Sequence, residues 1–204
     1  EKLFREKYLS EKSFFLPHNR QLLLYWGQRT RVVDANISTL SVQKWYEYDP
    51  LDVNKNNEYI LFHDNEDGWI KLISWKDFSV TKDLFQMHPG QVAGAFTPDG
   101  SIAVLATKQT DSEVNPGIST YHLIKEKHRP LLGFDGYGCS GLCISPDNQW
   151  IYGACSDQTV RVWDIQTGEL RSSIPIGYEL TNVDISPDNE LLAIATREGK
   201  IFLH

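Results

Sequence analysis

Short apolar runs set between polar turns dominate this chain. Outside Lys2–Leu9, no stretch repeats its apolar residues with the 3.6-residue period of a helix. Val92–Thr107 reads VAGAFTPDGSIAVLAT, Ser140–Cys155 reads SGLCISPDNQWIYGAC and Thr181–Thr196 reads TNVDISPDNELLAIAT. Each is a strand, a Pro-Asp-Gly or Pro-Asp-Asn turn, and a second, more continuously apolar strand. The turn residues have separate jobs. Proline presets φ at the first corner, Asp accepts hydrogen bonds from backbone groups two residues on, and Gly or Asn tolerates the left-handed conformation that closes the hairpin. The near-continuous runs of Val, Ile, Leu and Ala predict inner strands covered on both faces.

The pattern repeats. Pro98, Pro146 and Pro187 stand 48 and 41 residues apart. Weaker copies lie upstream, in SFFLPHNRQLLLYW around Pro17 and in EYDPLDVNKNNEYILFHDNEDGWIKLISW, where Asn56-Asn57 stands for the turn. Five units of about 40 residues suit blades of four antiparallel strands, each hiding its apolar faces only against a neighbour. The units expected are approximately 13–43, 44–87, 88–134, 135–176 and 177–204, the last incomplete, after an N-terminal segment 1–12 that is a linker or a closing strand. Lys108–Gly117, polar and containing Pro116, predicts a projecting loop.

Composition narrows the function classes. The 204 residues are 41% hydrophobic, and their charge sums to −7. Nucleic acid and anionic membrane need clustered Lys and Arg, so neither is expected as the main partner. The densest basic stretch, Lys125–Arg129, is interrupted by Glu126. No apolar run approaches the ~18–20 residues needed to cross a bilayer. The opening EKLFREKYLSEKS lacks the apolar stretch of a signal peptide. Three cysteines, an odd number, favour a reducing intracellular setting over a disulfide framework.

Candidate chemistry is sparse. Cys139 and Cys143 lie four apart on one strand and are expected to share a face, with Cys155 on the next strand. Structural zinc calls for four ligands at tight spacings and no CxxC is present, so buried thiols and no metal are expected. The oxygen-rich run His63, Asp64, Asn65, Glu66, Asp67 lacks a calcium-loop pattern and reads as a solvated turn. No GxSxG, GxGxxG or GxxxxGK[ST] occurs, and the six histidines are scattered without a motif. Gly133–Gly141 joins two strands and reads as a tight connection. No catalytic, cofactor-binding or metal-binding residue is expected.

Ser156–Leu170 reads SDQTVRVWDIQTGEL, with Trp163-Asp164 closing the third strand of its unit and Thr167-Gly168 turning into the fourth. Here the chain resembles WD-repeat β-propellers, from Ser13 to His204 and most strongly after Val92. The resemblance implies an all-β fold of four-stranded antiparallel blades, about five of them visible, within a seven-bladed ring. It gives Asp157, Trp163, Asp164 and, in an earlier blade, Asp67 structural roles. The family's Ser and His positions fall on Gly141 and Asp135, Ile73 takes a Trp position, and His204 does so in the last unit, marking a divergent member. One end of the blades, where the family binds partners, then presents Arg29, Trp45, Tyr46, His88, Gln91, Phe134, Tyr137, Tyr178 and Arg197, together with the 108–117 loop. Tyr, Trp and Arg are the usual interface anchors, although Trp45 and Phe134 could instead fill gaps between blades. The implied function is a non-catalytic scaffold for proteins or peptides in a multiprotein complex of the cytoplasm or nucleus, with no cofactor. Two other readings stay open. One is an enzyme-like propeller of the lactonase type, with His63, Asp67, His88 and Asp157 around a cation; the other is a regulatory domain restraining an attached enzyme.

Overall fold

The computed structural model describes residues 12–16, 21–26, 29–34, 41–46, 48–54, 59–64, 66–77, 79–87, 92–107, 117–133 and 138–204. Lys2–Leu9, Pro17, Asn56-Asn57, His88, Gln91, the loop residues 108–116, and Phe134, Asp135 and Tyr137 lie outside the described residues. The described elements are all strands, in two compact units, residues 1–86 and 87–204.

In the first unit, β1 (Lys12–Phe15), β2 (Gln21–Trp26), β3 (Arg29–Asp34) and β4 (Ser41–Tyr46) form one antiparallel sheet in sequence order. β5 (Tyr48–Asn54), β6 (Tyr59–Asp64), β7 (Trp69–Ser74) and β8 (Val80–Gln86) form the next in the same way. Leu16 and Leu23 of the first sheet pack with Val53, Ile60, Phe62, Ile73 and Trp75 of the second. Burial runs unbroken along β6 from Ile60, whereas β8 is open to solvent, so apolar character fades from the inner strands to the outer edge.

The second unit repeats the plan. β9 (Val92–Phe96), β10 (Ile102–Thr107), β11 (Ile118–His122) and β12 (Lys127–Pro130) make one sheet. β13 (Cys139–Ile144), β14 (Trp150–Cys155), β15 (Thr159–Asp164) and β16 (Leu170–Pro175) make a second, and β17 (Leu180–Ile185), β18 (Leu192–Thr196) and β19 (Ile201–Leu203) a three-stranded third. The middle sheet is covered on both faces. Ile151 and Trp163 meet Val104, Ile118 and Leu131 on one side; Ala154 and Val160 meet Leu180, Val183 and Ile194 on the other. These are the blades of an all-β propeller fold.

The three hairpin turns of this unit share one design. Gly100, Asn148 and Asn189 have φ of 74°, 59° and 65°, and their N–H groups donate to the carbonyls of Thr97, Ser145 and Ser186 at 2.7, 3.0 and 2.9 Å. Asp99, Asp147 and Asp188 accept from the backbone two residues on, at 3.0, 3.1 and 3.2 Å. One partner had no place in the sequence reading: the hydroxyl before each proline, on Thr97, Ser145 and Ser186, also donates to that Asp.

Two expectations are corrected. A β-bulge at Ser140 shifts the register between Cys139 and Gly141, which reverses the side-chain alternation. Cys139 therefore faces β9–β12 and Cys143 faces β17–β19. The Cys139 and Cys155 sulfurs instead lie against one another across β13 and β14, with Cys143 apart from them. The acidic run is no solvated turn at its start, because β6 extends through His63 and Asp64, which are 0% and 6% exposed. Lys71 makes that possible, its ammonium 2.5 Å from the Asp64 carboxylate.

Candidate functional site

Of the residues singled out for recognition, Arg29, Trp45 and Tyr46 lie in the first unit and Tyr178 and Arg197 in the second. In the second unit, the β14–β15 and β18–β19 turns share an end with the connections into β13 and β17. Ser156 N–H donates to Gly138 O at 2.8 Å, Ile176 N–H to Gln158 O at 3.0 Å and Arg197 N–H to Glu179 O at 2.8 Å. Tyr178 and Arg197 are brought together there. The Arg197 guanidinium lies 2.6 Å from the Glu179 carboxylate. The Lys200 ammonium donates to Tyr178 Oη at 2.8 Å and sits 4.0 Å from its ring centre, while the Phe202 ring is 5.3 Å away. In the first unit, Arg29 opens β3, Trp45 pairs with Arg31 and Tyr46 with Thr30, so the register gathers Arg29, Trp45 and Tyr46 at one end of their sheet.

The second unit carries a polar framework. Trp163 is fully buried, and its indole N–H donates 2.9 Å to Leu132 O in the connection from β12. The Arg161 guanidinium reaches Gly133 O at 2.7 Å and the Asp157 carboxylate at 2.7 Å, and Asp157 also accepts from Thr159. Asp164 caps the next turn, accepting from the N–H groups of Gln166 and Thr167, and pairs with Arg171. Asp67 occupies the matching place in β6–β7: it accepts from Trp69 N–H at 3.0 Å, with Lys71 at 3.6 Å in the role of Arg161.

Register also explains why that earlier blade hides its signature. Trp163 pairs with Ile151, and Ile73 pairs with Ile60 at the equivalent point. Two residues on, Ile165 and Trp75 are each 3% exposed. The large and small side chains have changed places, Trp-x-Ile in one blade and Ile-x-Trp in the other, and both pairs lie in their core clusters. The sequence missed Trp75 because a swap that conserves volume destroys the motif while keeping the packing. Gly141, at the family's Ser position, lies where a Cβ would meet Asn182 Cα at 2.8 Å, with Asn182 Oδ1 closer still. Its bulged neighbour Ser140 supplies a hydroxyl instead, donating 2.7 Å to Leu180 O of the next sheet.

The ionisable groups build structure. Backbone donation from Thr167, and then the bond from Arg171, hold the Asp164 carboxyl below its usual range against slight desolvation. The Ser186 hydroxyl and the Glu190 N–H do the same for Asp188. For Asp99, partial burial pushes upward, but the bonds from Thr97 and Ser101 prevail and the carboxyl is lowered. Burial drives the Cys143 thiol up to about 12, so it is not a nucleophile near neutral pH. Asp67 and Asp157, candidates for a lactonase-like cation site, are engaged by their own turns and by Lys71 and Arg161. Among the described residues, no three His, Cys, Asp or Glu side chains converge as metal ligands.

Residues 128–164, from β12 to the Trp163-Asp164 pair, match the family model for the WD domain, G-beta repeat. This stretch of the chain is a WD repeat. The matched repeat begins on the outer strand of one sheet and ends on the third strand of the next, so the WD unit of sequence straddles two blades. The chain is similar to pre-mRNA-splicing factor PRP46 of Yarrowia lipolytica, 35% identical over 54 residues, or 26% of this chain and 12% of that protein. It is similar to U3 small nucleolar RNA-associated protein 21 of Saccharomyces cerevisiae, 43% identical over 50 residues, or 24% of this chain and 5% of that protein. It is also similar to pleiotropic regulator 1 of Bos taurus, 30% identical over 95 residues, 43% of this chain and 18% of that protein. The matched stretches thus span less than a fifth of each of these relatives.

Proposed function

We propose that this chain is a non-catalytic docking platform for proteins or peptides inside a larger multiprotein assembly. We assign partner contact to Arg29, Trp45 and Tyr46 of the first unit and to Tyr178 and Arg197 of the second, together with His88 and Tyr137. The observation that carries this reading is the state of Tyr178. The ring is held in advance by Lys200 and Phe202 while staying partly open, so a partner can bury it with little further loss of side-chain freedom.

The relatives' names lend the setting. One is a splicing factor and another is associated with a small nucleolar RNA, which supports an intracellular complex of proteins, with or without RNA. We read these blades as part of a seven-bladed ring. The carboxylates of the structural network serve turns and ion pairs, which supports recognition over catalysis.

The test is affinity purification of the full-length protein with quantitative mass spectrometry, comparing wild type with Tyr137→Ala/Tyr178→Ala/Arg197→Ala. A discrete set of proteins should be lost from the variant while its melting temperature is retained. An unchanged set would refute the assigned face.

A further inference from the structure

A cleft of about 560 Å³ opens between the outer parts of the β9–β12 and β13–β16 sheets, at the hairpin-turn end. His122, Lys127 and Arg129 line one wall with Lys125 from the β11–β12 turn, facing Asn148 and Ile165 of the neighbouring sheet. The sequence offered a basic stretch interrupted by Glu126; strand alternation sorts it. Register sets His122 opposite Lys127 and Thr120 opposite Arg129, so these side chains share the face that lines the cleft, and Glu126 is not in the lining.

Little within the cleft neutralises this charge. Its one carboxylate, Asp99, is engaged by the Thr97 hydroxyl at 2.6 Å and by the Ser101 N–H at 3.0 Å. Arg129 donates to Ile165 O and Gln166 O, at 2.5 and 2.6 Å, carbonyls that bring no formal negative charge to its guanidinium. Lys125 and Lys127 are exposed, and neither is ion-paired among the described residues. Beside them, Ile124 is 81% exposed. Lys125, Lys127 and Arg129 thus share one recess in a chain of net charge −7.

We propose that this cleft docks an acidic peptide segment of a partner protein, its carboxylates on Lys125, Lys127 and Arg129 and an apolar side chain against Ile124. It is a second surface, away from the Tyr178 end. Charge range favours a peptide over RNA. A few carboxylates fit within a Debye length of about 8–10 Å, whereas a longer polyanion would run onto the acidic remainder of the chain.

The probe is a fluorescein-labelled peptide of four glutamates around one leucine, followed by fluorescence anisotropy at low salt. Comparators are its glutamine isostere, labelled decauridine, and the variants Lys125→Gln/Lys127→Gln and Lys125→Gln, with Lys76→Gln as the charge-matched control for the single variant. We expect the acidic peptide to bind, to lose about tenfold in affinity with the double variant, and to be unaffected by Lys76→Gln. Both cleft lysines are exposed, so the double variant should melt like wild type; Lys125→Gln alone, with a smaller loss, serves if it does not. Absent binding, equal binding of the isostere, or indifference to the lysines would overturn the proposal. Tighter, lysine-dependent binding of decauridine would overturn it in favour of RNA.

Discussion

Trp163 joins packing and polarity in one side chain, filling the core between two sheets and donating to Leu132 O. Replacing it with alanine removes a fully buried aromatic and strands that carbonyl, and should cost about 3–5 kcal/mol in urea unfolding. An unchanged midpoint would contradict its place. The exchange between Trp163/Ile165 and Ile73/Trp75 allows a finer test. Ile73→Trp alone overfills the first unit's core and should cost about 1–3 kcal/mol. Adding Trp75→Ile should recover much of that loss, a coupling readable from a double-mutant cycle. Strictly additive losses would show that the two sites do not share one space.

The hairpin is the element that repeats, and its turn is written locally. Proline, aspartate and a Gly or Asn at positive φ were legible because each acts on atoms within a few residues. The preceding Ser or Thr hydroxyl was overlooked, though its signal was there: Thr97, Ser145 and Ser186 recur at one offset. These turns are acid-sensitive by linkage. Asp99 and Asp188 have native carboxyls held below the ordinary value of 3.8, so the unfolded chain protonates first. Their contribution is complete above that value and is lost as pH falls through the lower native values. Melting temperature should therefore drop as pH is lowered below about 4, with a shallower slope for Asp99→Asn/Asp188→Asn. Equal slopes would remove these carboxyls from the account. Between elements, Gly141 sets the approach of β13 to β17. Gly141→Ala should destabilise by about 1–3 kcal/mol, because the Cβ meets Asn182 backbone that cannot simply rotate away. A neutral result in thermal melts would mean the sheets separate at little cost.

At the scale of the whole molecule, the cysteines show how far a linear reading reaches. Four-residue spacing predicted a shared face for Cys139 and Cys143, and a single bulge sends them to opposite faces of their sheet. No zinc-like trio can then form from Cys139, Cys143 and Cys155. Adding a chelator should leave the melting curve superimposed on the untreated one, and a fall of several degrees would reverse this reading. The fold class, the spacing of the units and the Trp163-Asp164 signature were set by the order of residues alone, because hairpins and alternation depend on near neighbours in the chain. The face each cysteine takes, the exchange of Ile73 and Trp75, the contact over Gly141 and the gathering of Lys125, Lys127 and Arg129 against a neighbouring sheet were decided by tertiary structure. They depend on which blade packs against which, and groups about 20 to 40 residues apart meet only when burial of the sheets' apolar faces brings them together.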